Sequence, residues 1–509
     1  MKVFFIVPPE LHFIEAYNTK KVDKGREFRQ KLGILAVAGY LRDVGGITPR
    51  IIDSLADMLS LEDIRKILKK EQPDIVGFSV LTFNILDCLE VVRIISEVSP
   101  ATKVCFGGFH PTIYPLETLS LPGVDFIVMG EGEITFTELV LTLKDSPHAK
   151  NKEPGNLKEL GGETNKNKTI PILDLTDSST EKKKGFAAID GLGWKDQKGR
   201  PILNAPRKPV AKLDTFPMPA HDLIDLEKYS LVLAEDAKVA SIQTSRGCPS
   251  KCTFCDIRLT RYRYRSAEHV MEEIKFLTGL GIREFFFLDD TFTINKKRVY
   301  ELCNLLIESK LDIKYKISSR VDRVNQEMLD MLAASGCYRI HYGVETGSQR
   351  LLDYLEKGVT LEQTINAFKM TKKAGIETFA YMMIGIPTET KDDIEQTIQF
   401  VNKLQPDRVN YSICSPFPKT KLYETALNND PTMEDYWGEF AKNPEPNFKI
   451  RTLNEYFTQE ELRNIQDKAL KRFYFSPRQL AREIYHTRSF KQLLLKAKFG
   501  MRFLSPRFK

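Results

Sequence analysis

Nowhere in its 509 residues does the chain hold an apolar run of about 18 or more, the length a membrane-crossing helix needs. Its opening stretch, MKVFFIVPPELH, is cut by a proline pair before it could serve as a secretory signal, so the expected location is cytoplasmic. Cysteine pairing is also missing. Five of the eight cysteines stand singly, which argues against a disulfide framework and for a reducing compartment. No GxGxxG follows the first strand-like segment, which argues against nicotinamide or flavin binding. With 42% hydrophobic and 28% charged residues, the chain has the balance of a globular protein of two or three domains.

The net charge of +7 is unevenly placed: residues 471–509 carry eleven Lys and Arg against one acid, Glu483, which leaves the preceding chain slightly acidic. This tail, KRFYFSPRQLAREIYHTRSFKQLLLKAKFGMRFLSPRFK, interleaves its charges with Phe, Leu and Tyr. It reads either as a helical cap on the domain before it or as a surface for an acidic partner or anionic lipid, with peripheral membrane contact.

Residues 1–145 alternate short apolar strands (KVFFIV, PRIIDS, DIVGFSV, KVCFGG, DFIVMGEGE) with helical patterns, which predicts a doubly wound, Rossmann-like parallel sheet. Ligands of such sheets lie beyond the carboxyl ends of the strands, where Gly107, Gly108 and the GEGE run from Gly130 fall. Residues 146–234 read as a polar, lysine-rich insert followed by a small hairpin and a proline-marked linker. From 235 to 425 a second alternation gives six strand–helix units, the pattern of a partial (βα)6 barrel, and 426–509 reads as a helical C-terminal region. The fold class is α/β throughout. In the barrel, chemistry is expected at strand ends near Arg246, Asp290, Arg320, Glu345 and Gly385.

Cys248, Cys252 and Cys255 follow the first of these strands with spacing CxxxCxxC. Three thiolates on one loop can hold three corners of an iron–sulfur cube and leave one iron open to a ligand. A structural zinc site wants four closed ligands, and His269 has no finger-like spacing to the loop.

The segment RGCPSKCTFCD, with Phe254 before its last cysteine, resembles the signature of the radical S-adenosylmethionine superfamily. FFFLDDTF, GVETGS and IGIPTE resemble that family's later strand ends, and the likeness covers 235–425. It implies a 4Fe-4S cluster whose open iron chelates S-adenosylmethionine, which one electron cleaves to a 5′-deoxyadenosyl radical. In that setting Asp289 and Asp290 can accept hydrogen bonds from an ammonium or ribose, and Arg320 can fork onto the cofactor carboxylate. Glu345 can hold ribose hydroxyls or the ammonium, and Gly385 and Pro387 can shape the backbone near the adenine. Bland readings stand beside these: Asp289 as a cap of the helix near Lys296, and Arg320 as a surface partner of Asp322.

The first domain resembles the cobalamin-binding module of the cobalamin-dependent class of these enzymes through GFSVLT, GGFHPT and MGEGE. The resemblance implies contacts to the vitamin from Thr82, Gly107, Gly108, Gly130, Glu131 and Gly132. The DxHxxG motif is absent, so cobalamin is expected without histidine below the cobalt, and His110 is expected to be a locally bonded loop histidine. Cys88 and Cys105, and likewise Cys303, Cys337 and Cys414, read as small buried hydrophobes. The expected function is methylation of an unactivated carbon in a small, hydrophobic, lipid-like or isoprenoid substrate, with flavodoxin or ferredoxin as electron donor. Alternatives are a radical cyclase resembling the anaerobic cyclase of chlorophyll synthesis, coupling of lipid chains, or a cobalamin or iron–sulfur sensor without turnover. The interleaved RLTRYRYRS suggests nucleic acid only weakly, because no RNA module accompanies it.

Overall fold

The computed structural model describes residues 1–12, 14, 29–145, 185–229, 238–430 and 432–485. The lysine-rich stretch 146–184 and most of the basic tail, 486–509, lie outside the described residues. The chain divides into two compact units. One comprises Met1–His12, Lys31–Ile224 and Ala441–Pro444. The other comprises Phe13–Gln30, Asp225–Phe440 and Glu445–Lys509.

The first unit is built on seven strands: β1 (Val3–Val7), β2 (Arg50–Asp53), β3 (Ile75–Ser79), β4 (Lys103–Gly107), β5 (Phe126–Val128), β6 (Leu192–Lys195) and β7 (Pro201–Leu203). Their order is β2-β1-β3-β4-β5-β6-β7. The first five pair in parallel, and β6 and β7 join antiparallel. The hairpin expected in a linker is therefore an extension of this sheet, and the sheet is mixed rather than wholly parallel. Trp194 and Phe186 explain the docking, because they pack against the core of Phe5, Ile75, Cys105, Phe126 and Phe136, while Asn204 donates to the Phe186 and Ile189 carbonyls. A strand order of 2-1-3-4-5 reverses direction between β1 and β3, so the loops after these strands form the open crevice of the sheet.

The second unit holds β8 (Val239–Ile242), the two-residue β9 (Ser245–Arg246) and β10 (Arg263–Tyr264), then β11 (Glu284–Phe287), β12 (Lys314–Ser319), β13 (Cys337–Glu345), β14 (Glu377–Ile384) and β15 (Arg408–Ile413). Six of these form one parallel sheet in the order β15-β14-β13-β12-β11-β8. Strands taken in chain sequence and crossed by helices make the partial barrel that the alternation predicts.

An open barrel has two edges to satisfy. At β8 the buried Gln30 stands in for a strand, its Nε2 donating to Val239 O (2.8 Å) and its Oε1 accepting from Ser241 N (2.9 Å). At β15 the helix Gln459–Tyr474 covers the edge, with Tyr474 Oη donating to Val409 O (2.8 Å). Within the expected helical C-terminal region, the described residues hold the end of the helix Lys421–Asn429 and the helices Tyr436–Lys442, Gln459–Tyr474 and Pro477–Tyr485. Among the described residues, no helix is long and apolar enough to cross a membrane.

Candidate active site

The extended stretch 239–246 breaks after Ile242 because the chain must leave the barrel to form the cysteine loop. The loop leaves and returns through an antiparallel pair, Arg246 facing Arg263 and Ser245 facing Tyr264. Gly247 sits at φ +87°, and a Cβ there would lie 2.5 Å from Arg261 O, so only glycine fits this crossing. Thr260 closes the loop: its Oγ1 accepts from Cys248 N (2.8 Å) while its own N–H donates to Cys248 O (3.1 Å).

Cys248, Cys252 and Cys255 line a single cavity of about 210 Å³ together with Phe254, Asp290, Arg320, His341, Glu345, Lys357 and Tyr381. All three thiols are free; Cys255 is the least buried. Among the described residues no cluster of His, Cys, Asp or Glu forms a cage for a single metal ion. Three separate thiols facing one cavity instead suit a multi-iron cluster, in which each takes one corner and the fourth iron stays open. The donor set fits the group the sequence implies.

The adjacent aspartates part company. Asp289 is buried and accepts from Thr244 N (2.6 Å), Ser245 N (3.0 Å) and Ser245 Oγ (2.7 Å), and pairs with the buried Arg298 (3.4 Å). It therefore pins the start of the cysteine loop, and it does not line the cavity. Nor does it cap the next helix, whose cap is Asn295. Asp290 lines the cavity, where desolvation and then the Asp289 charge lift its carboxyl to about 6, against a restraining hydrogen bond from Gly247 N–H.

Arg320 does pair with Asp322 (Nε–Oδ1 2.8 Å), but in the interior rather than on the surface. Its Nη2 donates to Lys357 O (2.7 Å), and its Nη1 lies 3.6 Å from Cys252 Sγ. Burial works against its charge, yet Asp322 and then Cys252 and Cys248 raise its pKa further. Glu345 ends β13 at φ +68°, a conformation rare outside glycine, and its Oε1 accepts from Lys357 Nζ (2.6 Å). Burial lowers the Lys357 pKa and the Glu345 and Cys252 charges more than restore it, so the amine stays protonated. Lys357 is the residue the sequence reading missed. It sits in an aperiodic turn between the helices Gln349–Tyr354 and Leu361–Lys373, so its only local signal was the following Gly358 at φ +66°.

His341, Gly343 and Glu345 share the inward face of β13, an alternation that was readable but unused. His341 stacks on Phe379 (4.6 Å between ring centroids) and is held well below its usual pKa by burial and then by Lys316, Arg339, Arg29 and Arg408. Gly385 and Pro387 are buried outside the cavity lining. Gly385, at φ +76°, has a packing reason to be glycine, since a Cβ would sit 2.6 Å from Leu462 Cδ1. Cys303, Cys337 and Cys414 are buried, with their thiol pKa values pushed up chiefly by desolvation, as inert core cysteines should be.

In the first unit the expected vitamin contacts gather at the strand ends. Gly107 ends β4 and Gly108 follows it, and Gly130, Glu131 and Gly132 follow β5; a Cβ at Gly130 would meet nothing within 4 Å. Exposed Leu11, Leu81 and Phe109 add apolar surface to the loops after β1, β3 and β4. The open backbone at Gly130 and these exposed apolar side chains fit a large, flat, partly apolar ring system. Thr82 is buried and bonded to His110 Nδ1 (3.0 Å). His110 lies in a helical turn, Phe109–Ile113, rather than a loop, and burial drops its pKa to about 4. Its ring is fully buried and turned to Thr82, and His12 is paired with Asp87 (3.0 Å).

Two family models match the chain: radical SAM superfamily over residues 242–401, and B12 binding domain over 27–140. A relative named as an uncharacterized methyltransferase, from Pyrococcus horikoshii, is 33% identical over 90% of this chain and 91% of its own length. The anaerobic magnesium-protoporphyrin IX monomethyl ester cyclase of Rubrivivax gelatinosus is 27% identical over 76% of this chain and 64% of its own length. Among solved structures, the cobalamin-dependent S-adenosylmethionine radical enzyme OxsB, with aqua-cobalamin and S-adenosylmethionine bound, aligns at TM-score 0.67 and 18% identity. That alignment covers 99% of this chain and 72% of OxsB and shows a shared fold. The chain belongs to the radical SAM superfamily, in the class that carries a B12 binding domain, and is an enzyme of that class.

Proposed function

We propose that this enzyme methylates an unactivated carbon of a small-molecule substrate. When bound, the iron–sulfur cluster supplies the electron that cleaves S-adenosylmethionine, and cobalamin supplies the methyl carrier. The observation that carries the reading is the set of groups around one cavity: three thiols for the cluster, and beside them Asp290, Arg320 and Glu345. In this reading Asp290 and Glu345 take the cofactor's ammonium and ribose hydroxyls, and Arg320 offers charge to its carboxylate. Phe254, Ile257 and Tyr381 in the lining would keep water and stray hydrogen donors from that part of the cavity.

A hydrophobic, lipid-like or isoprenoid substrate is the finer part of the proposal, supported by the apolar residues interleaved with Lys and Arg after Lys471. Flotation with anionic liposomes of the full chain and of a truncation ending at Phe475 tests it, and equal flotation would remove the membrane element. The cyclase relative keeps radical ring closure as the second reading. The central test uses anaerobically prepared protein grown with cobalamin: about four irons and one cobalamin are expected. Given candidate substrates, turnover should yield 5′-deoxyadenosine, S-adenosylhomocysteine and a product heavier by one methylene. A product lighter by two hydrogens, without S-adenosylhomocysteine, would favour the cyclase reading.

A further inference from the structure

Lys357 ties together parts of the site that the sequence keeps more than 100 residues apart. Its ammonium is buried, lies 2.6 Å from Glu345 Oε1 and stands 5.8 Å from the centroid of the Phe254 ring, inside the cysteine loop. Its carbonyl accepts from Arg320, whose other nitrogen faces Cys252 Sγ. Two residues earlier, Leu355 O accepts from Thr253 N (2.9 Å), so the same turn is bonded to the loop between Cys252 and Cys255. Space for the ammonium is reserved by Gly343, where a Cβ would fall 2.9 Å from Lys357 Nζ and 2.5 Å from Glu345 Oε1.

A buried ammonium is costly unless paired, and a glutamate at φ +68° is strained unless held. Each residue supplies what the other needs. The pair also stands beside the cluster ligands, where low polarisability of the surroundings makes fixed charges felt strongly.

We propose that Lys357 is a positioning residue that holds Glu345 for the cofactor and sets the reduction potential of the cluster. The inference rests on the reading of the three cysteines as cluster ligands. Reduction adds one electron to the cluster, so a neighbouring cation favours the reduced state and a neighbouring anion opposes it. Lys357 and Glu345 balance each other, and removing either uncovers the charge of the other.

The test is an EPR-monitored redox titration of the reconstituted protein without substrate, with binding of S-adenosylmethionine measured in parallel. Lys357→Met leaves Glu345 negative and should lower the potential; Glu345→Gln leaves Lys357 positive and should raise it. The double variant should return toward the wild-type value, and Lys357→Arg should stay close to it. Both single variants should bind S-adenosylmethionine about tenfold more weakly, the scale of one lost charge-assisted hydrogen bond. Opposite shifts are the signature of charge, because a loosened fold would move both variants the same way. Shifts of one sign, or no shift in Glu345→Gln, would overturn the proposal even if Lys357→Met fails to load iron. Absence of about four irons in the wild-type protein would instead be the failure of the cluster reading itself.

Discussion

Asp289 and Asp290 are neighbours in the chain and opposites in the fold: Asp289 is tied by Thr244, Ser245 and Arg298 to the root of the cysteine loop, while Asp290 faces the cavity. Replacing Asp289 should therefore act on folding before chemistry. Asp289→Ala strands the buried Arg298 and frees four donors, the N–H and hydroxyl groups of Thr244 and Ser245, which should cost about 3–5 kcal/mol. Urea denaturation of the apoprotein measures this, and an effect below about 1 kcal/mol would contradict the buried network.

Asp290 should show itself through pH. Its carboxyl titrates at about 6, so it is ionised at pH 7 and becomes protonated as pH falls through that value. In the proposed role of acceptor for the cofactor's ammonium it works only when ionised, so affinity for S-adenosylmethionine should fall between pH 7 and pH 5. Asp290→Asn should bind about tenfold more weakly at pH 7 and lose that pH dependence. Equilibrium binding across this range checks both.

The sequence made the cysteine loop and the barrel legible because both are local: a spacing of three cysteines, and a repeated strand–helix alternation. It could not show that β6 and β7 extend the first sheet, since antiparallel pairing across the long insert leaves no local mark beyond the hairpin itself. Glu345 was readable at a strand end, whereas Lys357 was not, because a turn has no period and its partner lies twelve positions away in sequence. For Gly385 the structure adds a reason that the sequence could not show: the glycine makes room for Leu462, far along the chain. Long-range packing of this kind is invisible to any reading of neighbours.

The Gly385 contact gives a cycle with two expected signs. Gly385→Ala drives a methyl group to 2.6 Å from Leu462 and strains a backbone at φ +76°, so a loss of about 1–3 kcal/mol is expected. Leu462→Ala is itself costly because Leu462 is fully buried, but in its background Gly385→Ala should cost less, because the clash is relieved while the backbone strain stays. Denaturant midpoints of the two single variants and the double variant measure the coupling. Strict additivity would show that Leu462 is not what Gly385 accommodates.

Glu389, five residues beyond the end of β14, is the carboxyl whose burial should be most visible in stability. Desolvation lifts it to about 8, even though Gly385 N–H and Ile386 N–H donate to its Oε2. Its Oε1 is buried without a partner among the described residues. The folded protein thus keeps a proton that the unfolded chain gives up near pH 4.5. Between pH 4.5 and pH 8 the unfolded state binds fewer protons, so stability falls as pH rises through that window and levels off above it. Glu389→Gln keeps the acceptor oxygen and cannot ionise, so it should abolish this contribution and be more stable than wild type at pH 8 while matching it near pH 4.5. Unfolding midpoints at the two pH values decide the matter: an equal difference between variant and wild type at both would mean that Glu389 ionises in the folded protein as readily as in the unfolded chain.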